Sequence, residues 1–159
     1  MQRNDYIAVL KQGLAKKVQI LDRIIVKNTL QKQLLADPEL PPDDLEQNLA
    51  EKAELVEQLI ELDQGFEQVY ERVKEELLQN RAAYAADIAV MQRYISEIME
   101  KSTQVQTQEQ RNKDLILTKF STVKKQIREV KSSKKAVSQY YKNMMKLNYV
   151  DPQFLDNKK

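Results

Sequence analysis

The chain has 159 residues, 42% of them hydrophobic, with two glycines, four prolines and no cysteine, histidine or tryptophan. Without Cys there are no disulfides, thiolate nucleophiles or zinc–sulfur sites, and without His the commonest acid–base group and metal ligand are missing. Two glycines cannot build a phosphate-cradling loop, and neither GxGxxG nor GxxxxGK(S/T) occurs, so no enzyme, cofactor or metal site is expected.

Apolar residues recur at helical spacing nearly throughout, strand and hairpin signals are nearly absent, and the fold class read from them is all-α. In the first helix, expected over about residues 5–36, the stripe is Ile7, Leu10, Leu14, Val18, Leu21, Ile24, Ile25 and Leu35, with Gly13 tolerated inside it. Pro38, Pro41 and Pro42 end it in ADPELPPDD, and Asp43 and Asp44 supply cap and negative charge to the next helix. That second helix, over about 43–79, carries Leu45, Leu49, Val56, Leu59, Leu62, Phe66, Val69, Val73 and Leu77, with Lys52 at one stripe position and the stripe in phase across Gly65. A third helix is expected over about 81–130, and a short C-terminal one over about 132–147. Residues 1–150 thus read as one helical domain and 151–159 as a disordered tail. The architecture expected is an antiparallel hairpin plus a long third helix, an elongated three-helix bundle of coiled-coil character.

At 1.5 Å per residue the first two helices span about 50 Å and the third about 75 Å. The third reaches the level of the proline turn near residue 117, and its last turns then overhang with Leu115, Ile116, Leu117, Phe120, Val123 and Ile127. So much apolar surface should not stay in water. Three resolutions are open: the helix breaks and folds back, two copies pair there, or a partner covers it. On the third, Leu115, Ile116, Phe120, Val123 and Ile127 are the partner-binding residues. The polar run 100–114, with Ser102, Thr103, Thr107 and Gln104, Gln106, Gln108 and Gln110, reads as an exposed face, the alternative being a polar layer inside the bundle.

Net charge is +2, divided as +5 over residues 1–36, −11 over 37–79, 0 over 80–114 and +8 over 115–159. Attraction between neighbouring elements accounts for this, and the glutamate ridge of the second helix reads as a solvated face because a di-metal bundle needs His ligands. The basic end, interleaved with Phe120, Tyr140, Tyr141 and Tyr149, has a composition that can bind single-stranded nucleic acid, but the acidic second helix would repel phosphate. Tyr140, Tyr141, Met144, Met145, Leu147 and Tyr149 form an adaptable apolar segment, suited equally to packing on the bundle or to a partner. No run approaches membrane-spanning length and no signal peptide is evident, so a soluble intracellular protein is expected, with no membrane insertion.

The long first helix, the proline turn into DDLEQNLAEKAELVEQLIELDQGF with Leu45, Leu49, Lys52, Leu55, Leu59 and Leu62, the long third helix and the basic KAVSQYYKNM segment together resemble the FlgN-type flagellar export chaperones over roughly residues 5–150. The resemblance implies a small cytoplasmic, non-enzymatic protein. It would hold the terminal amphipathic helices of hook-associated (hook–filament junction) proteins by helix-in-groove packing until the type III export gate accepts them. It also implies an aromatic export-gate contact in the C-terminal segment, for which Tyr140 and Tyr141 are the candidates. A sister group serving the filament cap protein, and a homodimeric helical adaptor, are the alternatives.

Overall fold

The computed structural model describes residues 3–39, 42–122 and 127–147. They form four α-helices and no strand: α1 (Arg3–Ala36), α2 (Pro42–Gln79), α3 (Ala85–Thr122) and α4 (Ile127–Met144). Asp5 sits in the first turn of α1. Its last turn gives way to an Asp37 side chain that accepts the Glu39 backbone N–H at 2.9 Å. Pro42 then opens α2 where a missing N–H costs nothing, followed by Asp43 and Asp44 at the positive end of the helix dipole. The α2–α3 turn contains neither Gly nor Pro. It is built from backbone bonds such as Ala83 N–H to the Asn80 carbonyl, and is clasped by the Tyr84 hydroxyl donating to Glu76 at 3.1 Å.

Cross-helix pairs fix the directions. Lys27–Glu51 (3.0 Å) and Lys17–Asp63 (2.8 Å) make α2 antiparallel to α1. Lys11–Asp87 (2.7 Å), Asp22–Lys101 (2.6 Å) and Asn28–Gln108 (3.1 Å) run α3 parallel to α1. Ser133 meets Glu46, and Lys52 lies 4.3 Å from the Tyr140 ring centroid, so α4 runs parallel to α2. Helix α1 packs against both α2 and α3, and α4 packs against α2. At the proline-turn end the bundle therefore has four helices. Beyond the reach of α4, about 27 Å long against about 57 Å for α2, it has three.

This corrects the expected long third helix. Helix α3 stops at Thr122, barely past the turn, and the chain resumes as α4 folded back along the bundle. The physical reason is the one that made the overhang untenable: Ile116 and Phe120 join Val137, Tyr140 and Met144 in the single apolar core instead of facing water. Residues 151–159 lie outside the described residues.

Candidate binding grooves

The four-helix end is closed by a polar layer. Lys52, fully buried on α2, donates to Glu109 of α3 (2.8 Å) and to Gln31 of α1 (3.2 Å), while the Tyr140 hydroxyl of α4 donates to the other oxygen of Glu109. Asn112 donates to Gln31 (3.0 Å) and to the Asn28 carbonyl (2.9 Å), and Asn28 donates to Gln108. Burial holds the Lys52 ammonium below the ordinary lysine range, against the pull of Glu109 in the other direction. Such a pair adds little net stability, but it fixes register, because sliding α2 or α3 would leave a charge unpaired in the core and sliding α1 or α4 would strip a buried polar group of its partner. The polar run 100–114 is thus divided. Ser102, Gln108, Glu109 and Asn112 turn inward, while Thr103, Gln104, Gln106, Thr107 and Gln110 face solvent as expected. Asn28, Gln31, Glu109 and Asn112 were not anticipated as interior residues.

Of the partner-binding residues expected on the late third helix, the structure describes the surroundings of Leu115, Ile116 and Phe120. Ile116 is 0% and Phe120 7% exposed, enclosed by the chain's own residues, which removes both as accessible contacts. Leu115 is partly exposed at 37% and the neighbouring Leu117 is 56% exposed. Val123 and the side chain of Ile127 lie outside the described residues. The two tyrosines part company: Tyr140 is 2% exposed and held by Glu109, whereas Tyr141 lines a groove between α3 and α4 of about 580 Å³. Lys113 and Lys142 flank that groove, Lys113 Nζ lies 5.4 Å from the Tyr141 ring, and Met145 stands almost wholly in solvent at its edge. Burial first, then the charges of Glu109 and Asp114, push the Tyr141 hydroxyl well above the usual phenol range.

A longer groove lies between α1 and α2 and reaches into the three-helix end. One part, of about 660 Å³, has Val9, Leu10, Ile20, Leu62, Phe66 and Val69 among its lining, together with both glycines of the chain. A second part of about 450 Å³ shares Arg23 and Gln58 with it and extends past Val26 and Leu55 to Lys27 and Glu51. From Val9 to Val26 the α1 wall is roughly 25 Å long by helical rise. A Cβ added at Gly13 or at Gly65 would meet nothing within 4 Å. In an α-helix an unpacked glycine costs about 1 kcal/mol relative to alanine. Here both positions open the same groove. Leu62, Phe66 and Val69, read as core positions, line this groove and stay half-buried.

Among the described residues no group of three or more metal-ligating side chains occurs, and no helix is long and apolar enough to cross a membrane. No protein-family model, no curated protein and no solved structure matches the chain.

Proposed function

We propose that this protein is a cytoplasmic, non-enzymatic export chaperone of the FlgN type, which binds a terminal amphipathic helix of a hook-associated protein in the α1/α2 groove before export. The observation that carries this reading is the groove itself. It is long enough for about five helical turns, apolar along its floor, and kept open by two glycines that nothing in the chain fills. The resemblance over residues 5–150 supports the reading independently. For the export-gate contact the candidate becomes Tyr141, because Tyr140 is consumed by the polar layer while Tyr141 borders an open, lysine-flanked groove.

The test is co-purification with hook–filament junction proteins, comparing the wild-type chain with Gly13→Leu combined with Gly65→Leu. The leucines project into the groove, where an added Cβ meets nothing within 4 Å, so captured protein should fall to background while helicity and melting temperature hold or rise. Undiminished capture by the filled variant refutes the groove as the cargo site.

A further inference from the structure

The walls of the α1/α2 groove carry opposite charge. On the α1 side stand Lys16 and Arg23, on the α2 side Glu54 and Glu61. None of these four has an ion-pair partner among the described residues, although Lys27 and Glu51 bridge across the end of the same groove at 3.0 Å. Asp22, the one acidic residue of the α1 wall, is already engaged by Lys101 of α3 at 2.6 Å. The groove thus separates a row of unpaired cations from a row of unpaired carboxylates, with an apolar floor between them.

Resting on the reading of this groove as a helix-binding site, we infer that its occupant is a partner helix with oppositely charged flanks, acidic toward α1 and basic toward α2, and that this division sets a single direction of insertion. The apolar floor takes the stripe of the incoming helix, and the walls then meet residues three or four positions to either side of it. A helix turned end for end exchanges its flanks. Reversed, the same sequence sets carboxylates against Glu54 and Glu61 and ammonium groups against Lys16 and Arg23. Each exposed pair is weak, so affinity comes from the floor, and the four wall charges supply orientation and rejection of like-charged helices.

The experiment uses the full chain and three fluorescein-labelled peptides of about 18 residues sharing one leucine stripe. One has a glutamate flank and a lysine flank, one has glutamate on both, one has lysine on both. By anisotropy in about 50 mM salt the divided peptide should bind about tenfold tighter than either other, with the gap closing as salt rises. Lys16→Glu with Arg23→Glu makes both walls acidic and should shift preference to the all-lysine peptide; Glu54→Lys with Glu61→Lys should shift it to the all-glutamate one. Reversing all four should restore the divided peptide in the opposite direction, read from which end of the groove a nitroxide on its N-terminus broadens in NMR spectra. Equal binding of all three peptides, blocked by the Gly13→Leu and Gly65→Leu fill, would overturn the charge inference and leave the groove standing. Absence of binding by any peptide would sink the groove reading itself. A chain that self-associates in sedimentation, is dispersed by either wall reversal and binds no peptide would show a second copy to be the occupant, and would equally overturn the proposal.

Discussion

Lys52→Met removes the cation from a layer in which it has two acceptors, Glu109 at 2.8 Å and Gln31 at 3.2 Å. Gln31 keeps Asn112 as a donor, so its loss is small. Glu109 keeps only the Tyr140 hydroxyl and the carboxylate stays buried, the situation that makes breaking a buried pair cost about 3–5 kcal/mol. The surviving Tyr140 bond argues for the lower end, about 3 kcal/mol, which for a chain of this size lowers the melting temperature by roughly 6–12 °C. Adding Glu109→Leu removes the stranded charge, and the double variant should recover most of the loss. Glu109→Gln makes the complementary case. Lys52 already titrates below 10.5 in the fold, and without its counter-ion it titrates lower still. Between that folded value and 10.5 the unfolded chain holds the extra proton, so stability rises with pH in this window. The deficit of Glu109→Gln against wild type should therefore narrow from about pH 7 to pH 10 in urea titrations. A Lys52→Met chain as stable as wild type, or a double variant worse than the single, would refute the picture of one coupled buried pair.

Phe120→Ala should cost about 3–5 kcal/mol, because Phe120 sits in the core under α4, whereas Leu117→Ala at a 56% exposed site should fall within about 0.5 kcal/mol of wild type in the same denaturation assay. Gly13→Ala and Gly65→Ala should each stabilise the chain by up to about 1 kcal/mol, measurable as a higher urea midpoint, since the added methyl meets open space. Tyr140→Phe removes a hydrogen bond to a buried carboxylate and should cost about 1–3 kcal/mol, while Tyr141→Phe should be close to neutral. In ultraviolet titration, Tyr70 and Tyr141 should ionise above the ordinary phenol range, both held up chiefly by burial.

Helix class, the proline turn and most stripe residues were legible because apolar period and breakers act locally: Leu45, Leu49, Val56 and Leu59 are all buried where their spacing put them. The level at which the third helix meets the proline turn was legible too, from rise alone. What the spacing left undecided was the fate of the segment beyond it, since residues 115–130 continue one stripe whether the rod runs straight or doubles back, and no Gly or Pro marks the reversal. The polar layer, the alternative reading of 100–114, has its own signal in the sequence. The α1 stripe has a gap between Ile25 and Leu35 holding Asn28 and Gln31, α2 has Lys52 between Leu49 and Leu55, and α3 has a gap between Val105 and Leu115 holding Gln108, Glu109 and Asn112. Any one gap reads as a thin core. Stacked at one level of an up-down-up bundle, three of them mark a layer. The α1/α2 groove was hidden because Leu62, Phe66 and Val69 continue the α2 stripe and so look like core residues, while spacing alone does not show that the glycines facing them leave the seam unfilled.

The layer also imposes an order on synthesis. Lys52 leaves the ribosome well before its counter-ion: Glu109 follows 57 residues later, a delay of roughly 3–11 s at about 5–20 residues per second. During that interval the nascent hairpin holds an ammonium group that its own apolar seam cannot accept. The hairpin alone must therefore stay open around Lys52, near its proline-turn end, and closes there only once α3 delivers the carboxylate, so translation arrested before that point yields a chain that stays hydrated at this level.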